Sequence, residues 1–394
     1  MKLALPEVGS RLAALALLGL EACLPRAPET PAPPRLPRIP QQLSAGLRDT
    51  CVVTEAGEVY CWGENCHGAP RDGYFEFVCS RPRRVPGLSH VKAFAPMQSH
   101  AGVDCALMHD GSVSCAKLHE PYRDVLAGGA MDIYHGETFV CALLNDGHVS
   151  CWGTLVGVVE APELAGAEAP TVLQGPHDVE SISATTGRAC ALSKTGEAWC
   201  WTAKHRTTDL VPTVERPPLR LVALGLQHGY IDMGWSRLPW DISAPRSVSE
   251  GGNTCLLERS GLIRCSGSVR HREDAGDFGN TPQAFTAIAI GLEHACALDA
   301  GVARCWGANG VAQLGREGNR SSSPTPVHTA EPLVDIVAGY NHTCARSASG
   351  AVWCWGANAQ GELGLGSRTR YEIGAQRVRA FDAQPTGTGD LAIP

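Results

Sequence analysis

Aromatic residues make up only 6% of this 394-residue sequence, and charged residues only 19%. A core so poor in rings needs another source of cohesion. No long run of Lys or Arg occurs, and acidic residues outnumber basic ones 40 to 33, for a formal charge of -7. That balance speaks against wrapping nucleic acid or an anionic membrane surface. No P-loop, G-x-S-x-G elbow or H-E-x-x-H occurs, and Gly361-Glu-Leu-Gly-Leu-Gly366 belongs to a repeated turn instead of a dinucleotide site. The sequence therefore nominates no catalytic residue, no cofactor and no metal site. Asp274-Ala-Gly-Asp277-Phe-Gly-Asn280 carries oxygen ligands but no known calcium-loop spacing, and reads as a loop.

What is present in excess is cysteine, 17 residues spread evenly, which suits an oxidising compartment. Lys2 and Arg11 precede an uncharged apolar stretch from Leu12 to Leu20, too short to span a bilayer but right for a signal-peptide core. It ends in Leu20-Glu21-Ala22-Cys23, which resembles the bacterial lipobox, whose Cys is acylated and becomes the mature N-terminus. Glu21 departs from the small or hydroxyl residue usual there. A simple secreted protein is the alternative, although Leu20 is too large for ordinary signal cleavage. From Pro25 to Pro40 seven of sixteen residues are proline, an extended spacer of roughly 50 Å in polyproline II geometry. The expected organisation is a signal peptide over 1–22, a tether over 23–40, a folded domain over 41–383 and a flexible tail over 384–394.

The folded domain repeats one hairpin seven times. Its first copy is Cys51-Val-Val-Thr-Glu-Ala-Gly57-Glu-Val-Tyr-Cys61. The others are bounded by Cys105 and Cys115, Cys141 and Cys151, Cys190 and Cys200, Cys255 and Cys265, Cys296 and Cys305, and Cys344 and Cys354. Six copies close after ten residues and carry glycine at the third position of a three-residue loop: Gly57, Gly111, Gly147, Gly196, Gly261 and Gly350. That is the left-handed position of a hairpin loop with a bulge. Such a loop sets Cys141 opposite Cys151 and Leu143 opposite Val149, so a disulfide can bridge the strands. The copy from Cys296 to Cys305 is one residue shorter, and a two-residue Ala300-Gly301 turn restores the pairing. Each bridge closes an 11-residue ring, a constraint of about 2 to 3 kcal/mol in the chain-entropy estimate and less where the hairpin is already local. Zinc binding would want four ligands at closer spacing.

Around the hairpins runs Leu333-Val-Asp-Ile-Val-Ala-Gly339-Tyr-Asn-His342-Thr-Cys344, then Val352-Trp-Cys354-Trp355-Gly356-Ala-Asn-Ala-Gln-Gly361-Glu-Leu363-Gly364. The pattern resembles the repeat of the regulator of chromosome condensation family, and the copy from Ile288 to Gly315 matches nearly as well. Cys61-Trp62-Gly63 and Cys151-Trp152-Gly153 keep the tryptophan turn, while Cys115-Ala116, Cys200-Trp201-Thr202 and Cys265-Ser266 have lost it. The resemblance implies an all-β, seven-bladed β-propeller with four-stranded antiparallel blades, its ring closed by N- and C-terminal segments sharing one blade. Leu221 to Met233 mimics a repeat lead-in without its hairpin, and reads as part of a long insertion, with a degenerate eighth blade as the alternative. His294 and His342 hold a fixed repeat position, where satisfying strand-end backbone groups is the expected role.

Two segments break the repeat. Cys66 and Cys79 enclose Tyr74, Phe75 and Phe77, and they remain as a pair once the hairpins and Cys23 are assigned. Trp235, Arg237 and Trp240 lie in the second segment, Gly234 to Asp241. Aromatic and arginine side chains are favoured interface anchors, so these six are the candidate partner-binding residues; packing onto the blades is the plainer account. The expected function is a monomeric, non-enzymatic binding scaffold that recognises a protein, or another extracytoplasmic ligand, through its loops. It would be exported and held on a bacterial outer membrane by its lipid alone, facing the periplasm or the exterior. A carbohydrate-active enzyme on the same scaffold is the alternative. Guanine-nucleotide exchange, an activity the resemblance also implies, conflicts with the signal peptide, the cysteines and the acidic charge. Mass spectrometry of the mature N-terminus should find acylated Cys23; an unmodified terminus elsewhere, or retention of residues 1–22, overturns the tether.

Overall fold

The computed structural model describes residues 40–64, 66, 78–96, 103–117, 120–136, 139–153, 169–173, 176–185, 188–195, 198–202, 205–210, 219–224, 254–258, 263–266 and 285–381. Strand β1 (Pro40–Ala45) pairs with β2 (Asp49–Thr54), which pairs with β3 (Val59–Glu64), which pairs with β4 (Val78–Arg84), each antiparallel to the last. Five more four-stranded sheets follow, over residues 91–126, 130–172, 179–210, 285–327 and 333–377, and a three-stranded one spans 219–266. They are numbered sheets 1 to 7 in chain order. All residues of β2 are buried, with no alternation of face, because both faces of the sheet are covered by neighbours.

The hairpins form in the expected register. Cys141 faces Cys151 and Leu143 faces Val149, and the shorter copy sets Cys296 opposite Cys305 through the turn at Ala300 (φ 47°) and Gly301 (φ 81°). Disulfides join Cys51 to Cys61, Cys105 to Cys115, Cys141 to Cys151, Cys255 to Cys265, Cys296 to Cys305 and Cys344 to Cys354, and the off-repeat pair Cys66 to Cys79. Cys190 faces Cys200 in the fourth hairpin.

Glycine at the hairpin tip does more than take a positive φ. The carbonyl of Gly57 accepts a bond from Val91 N of sheet 2 at 3.0 Å, and the same link runs from Ala130 N to Gly111, Val179 N to Gly147 and Leu333 N to Gly301. A Cβ on Gly57 would sit 2.7 Å from His90 Cα. These four tips are thus pressed against the first strand of the next sheet.

Two expectations are corrected. The terminal segments do not share a sheet: Pro40–Ala45 is the first strand of sheet 1 and Tyr371–Arg377 the fourth of sheet 7. The chain is in phase with the sheets, so each completes four strands locally and its ends meet only by packing. Phe381, just beyond the last strand, packs its ring 5.9 Å from Trp62 and 6.2 Å from Tyr60. Secondly, Leu219–Leu224 is not part of an insertion but the first strand of sheet 5, with Ala223 opposite Cys255. The extra sequence, 225–253, falls between this strand and its hairpin, outside the described residues. No eighth sheet occurs among the described residues.

Gly57 and Gly87 separate the two costs, since both have positive φ, 69° and 78°, but nothing approaches a Cβ on Gly87. Gly87→Ala should lose about 1 to 2 kcal/mol from the left-handed backbone alone, and Gly57→Ala about 1 to 3 kcal/mol more from forced packing. Urea unfolding of the two variants measures the difference.

Candidate functional site

The antiparallel order sends all first-to-second and third-to-fourth strand connections out at one end of each sheet. The cysteine hairpins and the links between sheets lie at the other. The hairpin end is taken up with seating each tip on its neighbour, so its connections are short. The opposite end carries the long ones: 65–77 in sheet 1, 154–170 in sheet 3, 225–253 in sheet 5, 308–320 in sheet 6 and 358–370 in sheet 7. Both off-repeat segments, with Tyr74, Phe75 and Phe77 in one and Trp235, Arg237 and Trp240 in the other, therefore leave and re-enter the sheets at this one end. Those six residues, like Cys23, lie outside the described residues.

At this end the sheets are laced together through short turns. Leu292 N bonds Tyr340 O at 3.0 Å, Tyr340 N bonds Leu47 O at 2.7 Å, and the Arg48 guanidinium lies 5.9 Å from the centre of the Tyr340 ring. Arg48 also pairs with Glu64 at 3.4 Å. The connection 358–370 is folded on itself by Asn358, whose Nδ2 bonds Ser367 O and Thr369 Oγ1 and whose Oδ1 accepts Leu363 N. So shaped, it lies on sheet 1: Trp62 Nε1 bonds Glu362 O at 2.8 Å and Gly366 N bonds Ser80 O at 2.7 Å. In sheet 6 the corresponding turn receives Trp355 Nε1 on Gln313 O at 3.1 Å.

Beneath the turns is a buried polar row that the sequence showed only in part. His294 Nε2 lies 2.9 Å from Thr343 Oγ1 in the next sheet, and His342 Nε2 lies 2.9 Å from Thr50 Oγ1 in sheet 1. The rings also meet strand-end backbone as expected, His294 at His342 and His342 at Asp49, each the first residue of a strand in the next sheet, and the threonine contacts add a side-chain link between sheets. Gly291 and Gly339 are required beside them, because a Cβ would lie 2.2 and 2.1 Å from the histidine Cε1. In sheet 3 Phe139 covers Gly136 in the same manner. Asp49 takes the histidine position in sheet 1 and Asp104 the threonine position in sheet 2, a correspondence visible in the sequence two residues and one residue before the first cysteine.

Burial controls the charge of this row. It pushes His342 down to about 4, and His294 to about 3 with the added repulsion of His342. Burial also lowers His135 to about 4, against the pull of Asp104. Burial, then the nearby Asp104, holds the Asp49 carboxyl well above its usual range. No group of three or more His, Cys, Asp or Glu side chains placed to hold a metal occurs among the described residues. The row holds sheets together and offers solvent nothing to react with.

These shifts fix the sign of the pH dependence. The unfolded chain takes up protons on the three rings near 6.5, and the folded chain only near 3 to 4. Stability is therefore lost as pH falls below about 6.5, by roughly 1.4 kcal/mol per histidine per pH unit. Asp49 acts oppositely: its raised carboxyl pKa favours the folded state at low pH and opposes it as pH rises. Melting temperature should drop between pH 7 and pH 5, and His342→Gln should flatten that drop while costing stability at pH 7. An equal fall in the variant would place the acid sensitivity elsewhere.

Models of the regulator of chromosome condensation (RCC1) repeat match residues 41–69, 305–346 and 333–362. Probable E3 ubiquitin-protein ligase HERC6 of Homo sapiens is 32% identical over 103 residues, covering 25% of this chain and 10% of that protein. The human HERC3 ligase is 41% identical over 88 residues, covering 21% and 8%. The chain thus spans a tenth or less of the length of these curated relatives. Among solved structures, Prp20p of Saccharomyces cerevisiae, described with its binding to Gsp1p and histones, superposes with a TM-score of 0.60 at 14% identity, over 86% of this chain and 87% of its own. At that identity the likeness is one of fold. Residues 41–69 and 305–362 thus match models of the regulator of chromosome condensation repeat, and the chain as a whole shares its fold with Prp20p.

Proposed function

We propose that the protein is an exported, non-enzymatic binding scaffold, tethered through a lipid on Cys23 and the 23–40 spacer, that recognises a protein partner at the end of its sheets bearing the long connections. The observation that carries this reading is the asymmetry of the two ends: the hairpin tips sit at one, and the other carries 65–77, 154–170, 225–253, 308–320 and 358–370, including both aromatic segments. Function generally sits on such loops. The seven sheets are read as the blades of a closed propeller over residues 41–383. Support for closure is that the joint between sheets 7 and 1 repeats that between sheets 6 and 7, with the same His–Thr, Trp–turn and backbone links. Paired cysteines favour an oxidising, extracellular setting, and among the described residues no helix is long and apolar enough to cross a membrane. Prp20p, which shares the fold, is itself described by its binding to proteins.

A carbohydrate-active enzyme would need a pair of carboxylates open to substrate. Asp49 and Asp104 are neighbours but only 5% and 3% exposed, so they do not favour that reading.

The test is capture of a partner with the folded domain, followed by Trp235→Ala, Trp240→Ala and Tyr74→Ala. Loss of an aromatic anchor should weaken binding about thirtyfold with melting unchanged. A buried packing residue would instead lower the melting temperature, at a cost of about 3 to 5 kcal/mol. Unchanged affinity in all three variants removes these loops as the binding site.

A further inference from the structure

We propose that the corner where the 358–370 connection lies on sheet 1 is a docking site for an acidic, leucine-bearing segment of a protein partner. The proposal rests on the scaffold reading above and names the chemistry of part of that end.

In a chain of net charge -7, exposed arginines lie on both sides of this contact: Arg81, with Arg83 and Arg84 further along β4, and Arg368 and Arg370 from the connection. The bond from Gly366 N to Ser80 O, 2.7 Å, brings the two groups together. Gly366 takes the left-handed φ of 85°, and Arg81 Nε lies 2.5 Å from where a Cβ there would stand, so the side chain closes over the glycine backbone. The Arg81 side chain lies against the turn, with its guanidinium beside the Gly366 backbone.

Two more of these side chains are held in place before any ligand arrives. Arg368 bonds Ala359 O and Gln360 Oε1, each at 3.1 Å, and Arg370 lies 5.9 Å from the centre of the Tyr371 ring. Fixing long side chains in advance removes part of the ordering cost of binding. Four arginines elsewhere have carboxylate partners: Arg48 with Glu64, Arg304 with Asp299, Arg346 with Asp335, Arg377 with Glu331. At this corner one arginine is matched in the same way, and a second carboxylate is held by a hydroxyl. Glu58 pairs with Arg84 at 2.9 Å, and Glu372 accepts a bond from Thr369 Oγ1 at 2.7 Å. Among the described residues no carboxylate pairs with Arg81 or Arg370.

The surroundings select the occupant. Tyr371 and Ile373, two residues apart on the edge strand of sheet 7, are 37% and 43% exposed on one face. Arginine and tyrosine with an exposed aliphatic side chain suit a peptide that carries carboxylates and an apolar residue. A bare anionic surface would have no use for the apolar part. Pro82 in β4 has no N–H to give, so the edge of sheet 1 is closed to an added strand. Recognition therefore runs through side chains, with guanidinium forks on carboxylates.

The test is fluorescence anisotropy of the whole chain with a labelled Glu-rich peptide containing leucine, at low and at physiological salt. Binding should weaken with salt. Arg81→Gln with Arg370→Gln should reduce it at least about tenfold, with melting temperature unchanged, as should Ile373→Ser more mildly. Arg320→Gln, outside the corner, should leave it intact. Absence of peptide binding by the parent chain, or equal binding by the double variant, overturns the proposal. So does tighter binding of heparin or of anionic lipid vesicles, which would give the corner to sulfate or phosphate. With a captured partner, binding that survives the double variant but not Trp235→Ala ends this proposal and leaves the scaffold standing. Binding indifferent to both sets ends the scaffold reading.

Discussion

No sheet in this molecule can cover its own faces, and almost everything else in the structure answers that constraint. The apolar residues do not gather into one core. They form clusters that lie between neighbours, such as Cys51, Val53 and Val59 of sheet 1 against Val91, Phe94 and Ala106 of sheet 2. Leu43, Val52, Tyr60 and Trp62 meet Cys344, Val352, Cys354 and Leu363 in the same way across sheets 1 and 7. Four interfaces, those of sheets 1–2, 2–3, 3–4 and 6–7, are sealed at one end by a hairpin-tip carbonyl that receives the next sheet's N–H, and interfaces 6–7 and 7–1 are sealed at the other by a tryptophan on a turn. A defect in one sheet is then felt by two interfaces, because every sheet is half of both.

Cysteine takes the place that aromatic residues fill elsewhere. The paired sulfurs are not surface clasps: Cys51, Cys141, Cys296, Cys305, Cys344 and Cys354 are all at most 1% exposed and belong to the inter-sheet clusters. They cross-link a hairpin and fill the gap between sheets with one group. Free buried thiols would pack much the same way, so the bridge adds its restriction of the unfolded chain to an existing contact.

The division of labour between the two ends follows from strand direction. Joining sheets demands short, stereotyped turns, and the hairpin end supplies them with glycine at positive φ. The other end needs only the three-residue turns typified by Gly339 to Asn341, and tolerates long connections without disturbing the interfaces below. Buried polar groups keep to these interfaces, where threonine hydroxyls meet uncharged histidine rings. Exposed charge gathers instead at the corner of sheets 7 and 1. The same connection serves both purposes: Glu362 caps Trp62, and a few residues later Arg368 and Arg370 face solvent.

The sequence by itself determined the hairpins: their register, the glycine in each loop, the two-residue turn at Ala300-Gly301 and the cysteine pairs, including Cys66 with Cys79. The hairpin pairs depend on residues at most ten positions apart, where the local backbone geometry of a turn leaves one pairing open; Cys66 with Cys79 followed by elimination. It also marked the repeat, through Gly339, His342, Trp355 and their counterparts. It did not place Leu219–Leu224, because a strand is defined by its partner, and this one waits across 225–253 for Thr254–Glu258. Only the tertiary structure set Asp49 beside Asp104, gave His342 Thr50 as a partner, and brought Arg81 to Gly366 from nearly three hundred residues away. Such contacts are made between sheets, and what meets at a sheet interface is fixed by the packing of the whole unit, which no local spacing encodes.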